Sequence, residues 1–140
     1  MSDVRTETYI DKNKRDIYMK LTEDEGSLFY KRKDTEVFVA SAAIGFYYKK
    51  RKPITGTKHS LYPMSMYRSD DPNLWMLKSI AIAAGGIDVL KDLRQVAAIV
   101  EEYANAGVDI LYEKHQNNSD DEIYSMAAEL IEIMEVEGIQ

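Results

Sequence analysis

The run Val37-Phe38-Val39-Ala40-Ser41-Ala42-Ala43-Ile44-Gly45-Phe46 constrains this chain more than any other stretch. Asp34-Thr35-Glu36 opens it with polar first-turn residues, and Pro53 closes it, since proline disfavours a helical conformation at the residue before it. The run therefore predicts a helix over 34–48. Its residues are apolar nearly all round, so the helix has no face to offer water and belongs in the middle of a core. Gly45 is expected to let a neighbouring backbone approach closely. The rest of the chain must wrap this helix, and 140 residues at 45% hydrophobic content have the material for it. A chain of this length buries roughly 70% of the surface it exposes when unfolded.

Amphipathic segments on either side supply the wrapping. Ile10, Ile17, Tyr18 and Leu21 form a stripe at helical spacing over about 9–21, with Asp11 as its cap. Residues 1–8 read as a flexible N-terminal tail. Glu23-Asp24-Glu25-Gly26 is a turn signal, Ser27 to Tyr30 a loop, and 53–71, with two of the three prolines, one long connection. Asp71-Pro72 starts a helix over 72–84 that ends at Gly85-Gly86. From Asp92, the spacing of Leu93, Val96, Ala97, Val100 and Ala104 predicts another helix, with Glu101 and Glu102 on its wetter side. Gly107 is expected to break it before a short continuation to His115. A final helix begins near Asp120 with Ile123, Met126, Ala127, Leu130 and Met134 on one face. The expected architecture is all-α: a single compact domain over 1–140, with five or six helices around a central buried pair, 34–48 and 72–84.

Several chemistries lack their residues. There is no cysteine, and His59 and His115 stand without ligand spacing, so no metal is expected. There is no GxSxG elbow, phosphate-binding loop or dinucleotide fingerprint, and no cofactor is expected. Asp70-Asp71 and Glu101-Glu102 are the remaining catalytic candidates, suited in principle to a metal-dependent nuclease. Asp71 is already explained as a cap, and consecutive acids on a helix usually make a solvated face. The expectation is therefore no catalytic residue and no enzyme. The polar N-terminus is not followed by a secretory core, and no stretch reaches the roughly 20 apolar residues of a membrane span. A cytoplasmic protein without membrane contact is expected.

The positive signal is basic. Residues 1–70 carry 14 Lys/Arg against 10 Asp/Glu, and residues 71–140 carry 4 against 14. Lys31-Arg32-Lys33 precedes the buried helix, and Lys49-Lys50-Arg51-Lys52 follows it directly after Tyr47-Tyr48. A helix over 34–48 is about 20 Å long, so clusters at its two ends match phosphates several base pairs apart. Tyrosines beside lysines add hydrogen bonds to phosphate, or stacking on a single strand. Charge flanking a buried helix is also what its water-exposed ends require, and the sequence leaves both readings open.

Two motifs carry a family resemblance. Residues 37–46 followed by Lys50-Arg51-Lys52-Pro53, and later Glu101-Glu102-Tyr103-Ala104-Asn105-Ala106-Gly107, resemble the small dnd system-associated protein 4 group. These proteins accompany the systems that modify prokaryotic DNA by phosphorothioation. The resemblance implies a DNA-centred, defence-related context and, as partner, DNA or a DNA-modifying or DNA-restricting protein complex; it assigns no activity and no catalytic residue. Read physically, the second motif is a helix end, with Asn105 or Gly107 making a left-handed turn. The leading expectation is a non-enzymatic accessory protein that binds nucleic acid through its basic N-terminal half. A protein-interaction adaptor that never touches DNA is the alternative, and a metal-dependent nuclease is the weaker one.

Overall fold

A computed structural model of the chain describes residues 6–117. The central helix forms as its sequence requires. This helix, α2 (Asp34–Tyr47), buries Val37, Phe38, Val39, Ala40, Ser41, Ala42, Ile44 and Gly45. Lys33 is its N-cap, and the Glu36 carboxylate accepts the Lys33 N–H at 2.9 Å. The preceding helix, α1 (Arg15–Glu23), buries Tyr18 and Leu21, two of the four residues of the expected stripe. Ahead of it, the Asp11 carboxylate caps a 3-10 turn over Lys12–Lys14 by accepting the Asn13 N–H at 3.0 Å. The helix α3 (Pro72–Gly85) starts where Asp71 accepts the Asn73 N–H at 2.8 Å, and proline fills its first turn.

The all-α expectation is wrong. The described residues form four α-helices and a two-stranded antiparallel sheet, a mixed arrangement with fewer helices than the five or six expected. Strand β1 (Glu7–Asp11) pairs with β2 (Lys58–Pro63), with Thr8 opposite Tyr62, Ile10 opposite His59 and a bulge between Thr8 and Tyr9. Thr8 donates its hydroxyl to the Tyr62 carbonyl at 2.6 Å and is fully buried. Residues 7 and 8 thus belong to the sheet and not to a tail. The physical reason is reach: each strand is five or six residues long, and each completes its backbone hydrogen bonds only with a partner some fifty residues away. About half of the expected long connection is taken up by β2 and a 3-10 turn over Met64–Met66.

The second correction concerns Gly107. Instead of breaking a helix, it lies inside one continuous helix, α4 (Leu93–Gln116). A Cβ on Gly107 would run into the Ser41 carbonyl and come within 2.9 Å of the Gly45 nitrogen, and one on Gly45 would run into the Tyr103 carbonyl. Ser41 and Gly45 on α2 thus meet Tyr103 and Gly107 on α4 backbone to backbone, so Gly45 has the packing role its sequence suggests. The central buried pair is consequently α2 with α4. Helix α3 buries a single stripe, Leu74, Leu77, Ile80 and Ala81, and exposes Trp75. The helix expected from Asp120 lies outside the described residues.

Candidate nucleic-acid interface

The exit of α2 shows why its basic segment sits where it does. The Lys49 N–H donates to the Phe46 carbonyl at 3.1 Å and the Lys50 N–H to the Gly45 carbonyl at 2.8 Å. This is the Schellman closure, with Lys49 at the left-handed position where glycine is the usual choice. Lys49 has φ +57°, and Lys31, in the cluster before α2, has φ +63°. Among the described residues these are the two non-glycine residues with positive φ. A left-handed backbone costs an L-residue about 1–2 kcal/mol. In each cluster a lysine occupies a position where glycine would be less strained.

The segment after Lys49 is latched to α4. The Lys52 N–H donates to the Glu102 carbonyl at 3.0 Å, and the buried Asn105 amide donates to the Lys52 and Pro53 carbonyls at 3.0 and 3.2 Å. Arg51 donates its Nε–H to the Glu102 carboxylate at 2.8 Å and lies 5.3 Å from the centre of the Tyr103 ring. The hydrogen bond to Glu102 is the main cause that holds the guanidinium pKa above its usual value. Glu101 departs from the sequence reading: it is buried, and its carboxylate accepts the Tyr9 N–H at 2.9 Å, tying α4 to β1. Burial pushes its pKa up to about 7. The two motifs behind the family resemblance are therefore one structural unit, with residues 101–107 gripping residues 45–53. Asn105 and Gly107 make no turn; they are contact residues within α4.

The structure brings Tyr47, Tyr48, Lys49, Lys50, Arg51 and Lys52 into one contiguous, largely exposed segment, and leaves Lys31, Arg32 and Lys33 at the far end of α2, about 20 Å along its axis. Arg32 is bridged by Glu36 at 3.7 Å and Arg51 by Glu102. The side chains of Lys31, Lys33, Lys49, Lys50 and Lys52 make no ion pair among the described residues. Lys31 does lie over the Tyr30 ring, 5.4 Å from its centre. The acidity of the chain is concentrated elsewhere in the sequence: residues 118–140 hold seven Asp/Glu and no Lys/Arg.

Beside Lys49 opens a groove of about 480 Å³ between α2 and α3, lined by Ala43, Phe46, Tyr47, Met76, Ile80 and Tyr103, with Lys49 and Ser79 also on its wall. Tyr47 is 61% exposed. Sequence reasoning missed this groove, because which side chains of α2 and α3 face each other is set only once the two helices pack. It also misassigned Asn105, which it read as a turn residue and which instead holds the Lys52–Pro53 backbone from within α4.

Three of the four carboxylate candidates are engaged within the fold, and Asp70 lies on the exposed surface. Asp71 caps α3 and Asp70 pairs with Arg68 at 3.3 Å, while Glu101 and Glu102 hold β1 and Arg51. Among the described residues no three His, Asp or Glu side chains come together as a metal site. Nor is any helix among them long and apolar enough to cross a membrane.

The family model described as DNA sulphur modification system-associated protein 4 matches residues 8–136, and the chain belongs to that family. No curated protein and no solved structure matches it.

Proposed function

We propose that this member of a DNA sulphur modification family is a non-enzymatic accessory protein that works in the cytoplasm and holds the nucleic-acid backbone on Lys49, Lys50 and Lys52 at the exit of α2. The observation that supports this reading most is the backbone of Lys49. The negative end of the α2 dipole favours some cation at this place, but no contact among the described residues asks for a side chain at a left-handed position that glycine fills with less strain. Asn105 and Glu102 then fix the following residues, so the lysines project from a held backbone with little ordering left for a ligand to impose. Contacts of this kind go to phosphates and carry no base sequence. The family description gives the context, a system acting on DNA.

Fluorescence anisotropy with a labelled duplex at about 50 mM salt tests the reading, because electrostatic binding is strong under such weak screening. The native chain binds, and the Lys49→Glu, Lys50→Glu, Lys52→Glu triple variant loses binding to every sequence alike. Absence of binding by the native chain, with single-stranded probes as well as duplex, overturns the proposal. One observation favours the adaptor reading instead: both arginines of the two clusters are already bridged by glutamates of the chain itself.

A further inference from the structure

We infer that the groove between α2 and α3 takes an unpaired nucleobase, so that the protein prefers single-stranded or locally unpaired DNA to a perfect duplex. This rests on the backbone-binding reading above and adds the chemistry of what sits beside the phosphates. The groove has a volume of about 480 Å³, within the roughly 300–1,000 Å³ of small-ligand sites. Ala43, Phe46 and Tyr47 span about one turn of α2, and Met76, Ser79 and Ile80 about one turn of α3. That is room for one flat ring, and too short for the i to i+7 anchors of a docked helix.

The walls suit a base. Tyr47 stands edge-on to Tyr48, with ring centres 5.1 Å apart, and Phe46 edge-on to Tyr103 at 5.5 Å, so neighbouring rings hold these aromatics in place. Tyr47 still exposes most of its surface. The Ser79 hydroxyl on the wall donates to the Trp75 carbonyl at 2.7 Å, so its hydrogen is already engaged. The aromatic and apolar walls favour recognition by stacking, which every base can offer. Charge favours this occupant: among the described residues no carboxylate lines the groove, Lys49 stands on its wall, and Lys50 and Lys52 follow it in the exposed segment. An aromatic groove followed by a row of cations is the arrangement by which proteins follow a single strand.

Anisotropy with three labelled probes of equal length separates the possibilities: oligo-dT, an abasic deoxyribose-phosphate strand and a duplex. The native chain binds oligo-dT about tenfold more tightly than the abasic strand, the lower range of one stacked base. Ser79→Phe, which fills the space, lowers oligo-dT binding to the abasic level while abasic binding stays as in the native chain, and Tyr47→Ala, which removes a wall, brings the two strands to equal affinity. Both positions are exposed, and circular dichroism confirms that each variant is folded. Equal binding of oligo-dT and abasic strand by the native chain, or a preference that survives both substitutions, overturns the base site while leaving the phosphate reading intact; survival would return the groove to apolar side chains of a protein partner. Failure to bind any of the three probes overturns both.

Discussion

Replacing Lys49 by glycine separates what the fold wants at this position from what the proposed function wants. Lys49 closes α2 with φ +57°, and relief of a left-handed L-residue gains about 1–2 kcal/mol. Glycine adds freedom to the unfolded chain and gives back about 0.4–1 kcal/mol. The hydrogen bonds of the closure come from backbone N–H groups and survive the change. The net expectation for Lys49→Gly is a gain of about 0.5–1 kcal/mol, a rise in Tm of roughly 2–4 °C for a chain of this size. Thermal melts followed by circular dichroism measure it, with Lys50→Gly as control at a position without positive φ. In the same variant DNA binding weakens, and the slope of log affinity against log salt becomes shallower by about 0.9, one phosphate contact. A Tm below that of the native chain would refute the strain argument, and unchanged binding would remove Lys49 from the interface.

Three further outcomes follow from the same geometry. Gly107→Ala gains about 1 kcal/mol of helix propensity in an open helix, but here the new methyl meets the Ser41 carbonyl, and the overpacking cost of about 1–3 kcal/mol makes the variant less stable in denaturant titration; a more stable variant would mean that α2 and α4 are not in backbone contact. Glu101 has a pKa of about 7 in the fold, against 4.5 for an unperturbed carboxyl. It is neutral in both states below the lower value, so its contribution to stability falls as pH rises from about 4.5 to 7, by about 3 kcal/mol, and is flat above. Glu101→Gln should therefore raise Tm at pH 8 and leave it nearly unchanged at pH 4; equal effects at both pH values would contradict the burial argument. Asn105→Ala removes both hydrogen bonds to the Lys52–Pro53 backbone, costs about 1–3 kcal/mol and weakens DNA binding together with stability. Native affinity in that variant would show that the latch does not position the lysines.

What the sequence makes legible follows from the range of the interactions involved. Helix α2 is read almost to the residue, because its apolar run, its acidic first turn and the proline beyond it are all local, and Asp71-Pro72 places the start of α3 in the same way. The strands escape because Glu7–Asp11 and Lys58–Pro63 are short and have no stable hydrogen bonding until they find each other. Gly107 is misread because a glycine that ends a helix and a glycine that admits a second helix look alike until the second helix is placed; the clue was Gly45, which needed a partner. At the site, the basic residues are plain in the sequence, but which of them are bridged is not: Glu102 reaches Arg51 from α4, 51 residues on. The left-handed backbone of Lys31 and Lys49 has no sequence signal, since the residue type found there argues against it.

The most direct test of the account is the salt dependence of binding to duplex DNA by the native chain beside the Lys50→Gln, Lys52→Gln double variant. Three lysines on phosphate predict a slope of about −2.7 for the native chain and about −0.9 for the variant, at roughly −0.9 per phosphate neutralised. A slope that the two substitutions leave unchanged, or no binding to either duplex or single strand at about 50 mM salt, where screening is weak, would contradict the claim that the exit of α2 holds the nucleic-acid backbone.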